Sequence, residues 1–531
     1  MLAAAILALG GCSGDDGDDG VAGAPGADGA DGISCWDLNE NGIADPEEDI
    51  NGDGTVDVFD CQTPPSIGDA ATLHAAYFAD RTVEDGACLT CHGKIGDDVL
   101  TTGHWNWEGV AAGLEGFEGE IHGKTDIINN FCVAVPTNEG RCTQCHIGFD
   151  WRDDTYDFGD ASLIDCFSCH DQTGTYAKAP TTAGRPAGTV DLQAVAQSVG
   201  ENGGVPTRRA CIGCHARAGG GDNVKHGDLS TALIDTTREF DVHMATDGGD
   251  LACATCHTVQ RDPDGNLLSH GIGGMPYHSV EEGEMRQCDD CHSPNVHIGT
   301  SVESIFTSHD RLACQVCHIP AIARQIPTKT EWYWADAGQD IDPIPTDPTL
   351  GDIPLYDKKK GSFVYAMDVR PALRFYDGKW LKALVNENDT VAELPSEDGR
   401  VYLGGPVADY TNPEAKIYPF KKFIGDQPAD LNNGTILVPH LFGTAGGPNP
   451  YWGNFDWDLA LQDGANRTGQ TYTGEFEFVD TVSYYAVNHE IAPKEDALGE
   501  GGNCGDCHFA DQIDWPGLGW SGDPVDGGTR P

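Results

Sequence analysis

The chain has 531 residues, with 85 Asp and Glu against 31 Lys and Arg, a formal charge of −54 at pH 7, and 39% apolar residues beside 69 glycines. So acidic a molecule excludes nucleic acid and anionic membrane surfaces as electrostatic partners. Its length exceeds one ordinary domain, yet its low apolar content implies that something besides side chains fills the core.

Residues 1–12 are small and apolar and end in Leu9-Gly10-Gly11-Cys12, which resembles a bacterial lipobox. They read as a lipoprotein signal remnant, with Cys12 carrying the lipid anchor and the charged leading segment missing. No other run is long and apolar enough to span a bilayer. Over residues 13–33 glycine recurs at every third position from Gly14 to Gly32. That is a collagen-like period, but Pro25 is its one proline, so a flexible acidic linker is expected instead of a triple helix. Residues 34–62 carry two calcium-loop patterns back to back: Asp37, Asn39, Asn41, Asp45 and Glu48, then Asp49, Asn51, Asp53, Asp57 and Asp60. Oxygen ligands at alternate positions, with Gly42 and Gly54 at the sharp turns, suit a calcium ion. The pair looks like thrombospondin type 3 or dockerin repeats, with Cys35 and Cys61 bracketing it as a disulfide. An acidic solvated turn is the plainer alternative.

Cys-x-x-Cys-His then occurs eight times: Cys88, Cys91 and His92; Cys142, Cys145 and His146; Cys166, Cys169 and His170; Cys211, Cys214 and His215; Cys253, Cys256 and His257; Cys288, Cys291 and His292; Cys314, Cys317 and His318; and Cys504, Cys507 and His508. Two thiols add to the vinyl groups of one porphyrin, and the adjacent imidazole reaches the iron. A zinc site or redox dithiol needs no histidine directly after the second cysteine. Eight covalent c-type haems follow, and their attachment outside the cytoplasmic membrane agrees with export to a periplasmic or cell-surface location.

Seven motifs fall within residues 63–330, a heptahaem core. Residues 331–488 read as a low-haem wrapping region of loops and short strands, and residues 489–531 as an eighth-haem segment. The expected fold is a multihaem cytochrome c, mainly α with extensive irregular coil around a haem-packed core and few short strands. Helices are expected on several motifs and near Leu192 to Val199. With 19 histidines in the chain, most irons can take a second imidazole. Cations recur around the second to fourth motifs, at Lys124, Arg141, Arg152, Lys178, Arg185, Arg208, Arg209 and Lys225. An acidic protein that handles an anion needs such a local basic pocket.

Several stretches together resemble the octahaem tetrathionate reductase family of c-type cytochromes. They include His104-Trp105-Asn106-Trp107, Ile128-Asn129-Asn130-Phe131-Cys132, Lys225-His226-Gly227-Asp228-Leu229, Asp241-Val242-His243-Met244, Lys416-Ile417-Tyr418-Pro419-Phe420-Lys421 and His489-Glu490-Ile491-Ala492-Pro493-Lys494-Glu495. The likeness runs over residues 70–510. It implies seven bis-histidine haems, and His104, His226, His243, His270, His297, His309 and His489 are taken as the distal ligands, with His74, His278 and His440 competing. It also implies that the second haem, on Cys142, Cys145 and His146, is the active site with a lysine as sixth ligand. Lys178 is matched to that lysine, although Ala177 stands where the family often has another; read alone, Lys178 is a solvated loop lysine. Cys132 is the cysteine left over from haem, lipid and the Cys35–Cys61 pair, either an inert buried thiol or a catalytic group. The implied activity is reduction of a small inorganic anion, tetrathionate or nitrite, or of hydroxylamine. Electrons would come from redox partner cytochromes or quinol-linked donors, and a homo-oligomer is left open. A surface or filament-forming electron conduit without catalysis is the rival reading.

Overall fold

The computed structural model describes residues 70–531 apart from 181, 262–266, 275–284, 444–449, 509–512 and 531. The lipobox, the collagen-like tract, both calcium loops and His278 lie outside the described residues. Among the described residues no helix is long and apolar enough to cross a membrane.

Each motif sits on a helical turn, because thiols three apart and an imidazole four apart share one helix face. The turns range from the 11-residue helix Leu89–Val99 and the helix Arg208–His215 to single turns such as Cys253–Cys256 and Cys504–Asp506. Thr207 caps Arg208–His215 by accepting from Ala210 N. Asp191 caps the expected helix Leu192–Ser198 through Ala194 N. Long irregular loops join these turns.

The mainly α expectation, with few short strands, misses a nine-stranded sheet built from residues 328–486. Its strands run in the order Trp380–Lys382, Arg400–Pro406, Phe476–Ala486, Lys416–Asp430, Thr328–Tyr333, Gly361–Ala366 and Tyr356–Asp357, while Ala372–Tyr376 and Ser396–Glu397 pair off that path. Its spine is the antiparallel pair of the 15-residue Lys416–Asp430 and the 11-residue Phe476–Ala486, in register from Phe420 opposite Ala486 to Asp430 opposite Phe476. The spine is covered on both faces. Tyr418, Phe420, Val482 and Tyr484 pack with Ala313 and Val316 at the seventh motif. Phe423 and Tyr485 pack with Phe131, Val224 and Trp332. Residues that alternate along a strand face opposite sides, so the sheet is a wall between two parts of the motif-bearing chain. Asn130 fastens the segment before the second motif to this wall, donating to Thr481 Oγ1 at 3.0 Å and accepting from Ser483 Oγ at 2.5 Å.

Candidate active site

Imidazole pairs test whether the chain fits haem. With metal–nitrogen bonds of about 2 Å and each ring centre roughly 1 Å behind its nitrogen, two axial imidazoles on one metal have centroids about 6 Å apart. Six motif histidines face a second imidazole at that separation: His92 with His74 (5.9 Å), His215 with His104 (6.1 Å), His257 with His489 (6.2 Å), His292 with His243 (5.9 Å), His318 with His297 (6.0 Å) and His508 with His309 (6.1 Å). His170 has His270 as the largest charge partner acting on it. Imidazole pairs separated by the span of one metal are a donor set that fits haem. The assignment differs from expectation at one place: His74 belongs to a pair, whereas His226 packs against Tyr485 at 6.3 Å. Sequence spacing could not choose between them. His440, also a competitor, is tied up by Asp463 at 2.5 Å and the Phe442 carbonyl at 3.0 Å.

The second motif is different. His146 is fully buried in a box of Trp105, Trp107, Trp151, Tyr156 and Phe158, with ring centroids 5.0–6.3 Å away. Burial pulls its pKa down to about 3, so the ring is neutral. Its Nε2 donates to the Trp105 carbonyl at 2.5 Å, and a nitrogen that carries a proton has no lone pair for a metal. The nitrogen that the second motif would offer to an iron is thus engaged by the Trp105 carbonyl in this arrangement. Gly148 permits this packing, since a Cβ there would stand 2.7 Å from Trp105 Cζ3 and 2.8 Å from His146 Cε1.

Lys178 comes to the same place from a loop. Its ammonium group pairs with Asp165 Oδ2 at 2.8 Å, donates to the His146 carbonyl and reaches the Gly148 carbonyl at 3.5 Å. Asp165 is buried at 2% exposure, and the same oxygen accepts from Tyr176 Oη at 2.7 Å and Ser168 Oγ at 2.6 Å. The Lys178 side chain is itself only 8% exposed, not the solvated loop lysine of a bare sequence reading. Asp165 was not singled out from the sequence; its position beside Cys166 was the available signal.

A second group of cations is buried where the sheet meets the Lys225-His226 loop. Lys225 Nζ stands 5.4 Å and Lys382 Nζ 5.6 Å from the Tyr485 ring centre. Burial, then Lys124, brings the Lys225 pKa down to about 7; burial and Lys225 push Lys382 down as well. Lys124 also acts on His146 and Cys145, which ties this pocket to the second motif. Lys421 holds the loop in place, donating to the carbonyls of Val224 at 2.6 Å and Lys225 at 3.1 Å and to Thr328 Oγ1 at 2.6 Å. The sequence reading noticed Lys225 and missed Lys382 and Tyr485, which lie far along the chain in the supposed wrapping region. Cys132 packs with Phe131 and Trp332 and lies near the Cys142 thiol. Burial raises its pKa against the pull of Lys360, Lys329 and Arg141, so it is a thiol at neutral pH.

The anchoring thiols give the order of the sites. The Cys88 sulfur lies near that of Cys166, Cys145 near Cys214, Cys211 near Cys253 and Cys288 near Cys314. Cys169 lies near Cys211 and Cys214, Cys256 near Cys291, and Cys317 near Cys507. The sites thus run first, third, fourth, fifth, sixth, seventh, eighth, with the second as a branch on the fourth.

The chain is similar to the octahaem cytochrome c of Shewanella oneidensis, with 34% identity, 85% of this chain and 98% of that one covered, and a TM-score of 0.71. Residues 329–511 match the family model described as bacterial cytochrome c. No curated protein matches with significance. With eight attachment motifs, imidazoles paired at the span of one iron and this likeness over nearly the whole of a solved relative, the chain belongs to the octahaem c-type cytochromes that its sequence resembles.

Proposed function

We propose that the protein reduces a small inorganic anion at the second motif, with the other seven sites supplying electrons. The observation that carries this reading is the Lys178 amine. A neutral amine has two N–H bonds and one lone pair. Asp165 Oδ2, the His146 carbonyl and the Gly148 carbonyl hold the Lys178 nitrogen, on a side chain only 8% exposed, at the second motif, where it would serve as a ligand to the iron of a haem attached to Cys142 and Cys145. When bound there, haem supplies electrons at an iron with a position open to substrate.

The chain's own residues then do three things. Lys124, with Lys225 in its protonated form, sets a positive potential in an otherwise acidic molecule and so attracts an anion, to which Lys382 offers N–H groups. Phe131, Cys132 and Trp332 form an apolar wall that keeps water away and strengthens that attraction. Lys225 Nζ, with its pKa near neutrality, holds a proton that it can give up. Tetrathionate needs none: two electrons cleave its central S–S bond and two thiosulfates leave. Nitrite and hydroxylamine take up protons, so the pH profile of kcat separates the substrate classes. Because Cys132 is a thiol here, nucleophilic attack on sulfur is not part of the proposal. Export, a lipid anchor on Cys12 and delivery of electrons by a partner cytochrome or quinol-linked donor complete it.

The test is electron paramagnetic resonance of the holoprotein together with turnover of tetrathionate, nitrite and hydroxylamine by a reduced dye. Seven bis-imidazole signals, one distinct signal that shifts with the anion, and turnover are expected, with Lys178→Ala moving only the distinct signal. Eight bis-imidazole signals without turnover would leave a pure electron conduit instead.

A further inference from the structure

Hydrogen bonds behind the axial imidazoles are unequal along the chain of sites. At the third site, Asp98 Oδ2 accepts from His270 Nδ1 at 2.7 Å and from the His270 backbone N–H at 2.7 Å. At the fifth, Asp228 Oδ2 accepts from His489 Nδ1 at 3.2 Å and from the backbone N–H groups of Asn488 and His489 at 2.7 and 2.9 Å, with Asp228 only 2% exposed. The opposite imidazoles of these two sites, His170 and His257, give Nδ1 to the carbonyls of Gly204 at 2.8 Å and Gly273 at 2.9 Å. The fourth site, between them, has Lys124 against the segment that carries His104: its backbone N–H donates to the Trp107 carbonyl at 2.7 Å and its Nζ stands 4.5 Å from the Trp107 ring centre, and its charge acts on both His104 and His215.

A carboxylate on Nδ1–H gives the imidazole imidazolate character and makes it a stronger donor, which favours the ferric state. A cation beside the ligands disfavours the added positive charge of that state. We propose that Asp98 and Asp228 lower the potentials of the third and fifth sites while Lys124 raises that of the fourth, making the fourth an electron well that both arms of the wire fill. The well adjoins the second site, since Cys145 lies near Cys214. This rests on the order of the sites and on haem attachment, not on the reductase reading.

The test is a potentiometric titration of the holoprotein with eight haems, followed by electron paramagnetic resonance and visible spectra. Asp228→Asn and Asp98→Asn should each move one low-spin component about tenfold toward ferrous at fixed potential, about 59 mV for one electron. Lys124→Gln should move a different component several-fold the other way. In the wild type, that component should be reduced before those the aspartates control. As a control at the end of the wire, Asp523→Asn, which removes the charge from the 2.8 Å acceptor of His508 Nδ1, should leave all three unmoved. Unshifted components in the aspartate variants overturn the proposal. So does a wild-type order in which the Lys124-sensitive component is reduced last, a measurement that stands even if a variant fails to assemble.

Discussion

Asp165 is a 2%-exposed carboxylate shared by an amine, a phenol and a hydroxyl. Removing its charge should loosen Lys178 without removing it: Asp165→Asn is expected to cost about 10–100-fold in turnover, as outer-shell partners do, and to shift the distinct axial signal. His146→Asn is expected to leave that signal unchanged. It should instead cost about 1–3 kcal/mol in a denaturant melt, the penalty for stranding the buried Trp105 carbonyl. Two other buried carboxyls, Glu139 and Asp426, have pKa values raised by burial to about 7. The stability each contributes is fully present below its unfolded value of 4.5 or 3.8 and is lost as pH rises through about 7. That amounts to roughly 3 kcal/mol or more apiece. Melting temperature should therefore fall from about pH 4 to just above pH 7, and Asp426→Asn should flatten the fall. At this scale the sequence displayed all 24 motif positions, because covalent chemistry fixes their spacing. It could not display the box around His146, whose rings come from residues on either side of it and meet only in the fold.

The sheet is the element that sequence periodicity hid. Lys416–Asp430 contains Pro419, Pro428, adjacent Lys421 and Lys422, and Asp426, and prolines and charges ordinarily argue against a central strand. Its charges are instead occupied: Lys421 holds the Lys225 loop, Lys422 meets Glu397 at 2.8 Å, and Asp426 accepts from the backbone of Trp334 at 2.5 Å. Burial on both faces further removes the polar alternation that marks a half-exposed strand. One glycine in the sheet bears on the proposed anion pocket. A Cβ on Gly404 would lie 3.0 Å from Lys382 Cδ and 3.2 Å from the Leu381 carbonyl. Gly404→Ala should push the lysine aside, raising KM for the anion several-fold while kcat and far-ultraviolet circular dichroism stay near wild type.

Over the whole molecule, a charge of −54 surrounds a pocket of buried lysines. The outer field repels an anionic substrate and attracts a cationic electron donor. Raising ionic strength from about 0.01 to 0.15 M shortens the screening length from about 30 to 8 Å. kcat/KM for the anion with a neutral dye should then rise several-fold, whereas turnover with a cationic cytochrome donor should fall. The count of sites was legible from the chain alone. Their order was not, because the second motif joins the line at the fourth and the gap before Cys504 conceals how near the eighth lies to the seventh.

His489 faces His257, and His508 faces His309, so the last residues of the chain complete sites that its middle begins. The fifth site therefore has a single imidazole until the segment that carries His489 docks against the middle of the chain. A chain cut before residue 489 would keep seven attachment motifs but leave an exchangeable position at the fifth site, in the middle of the line.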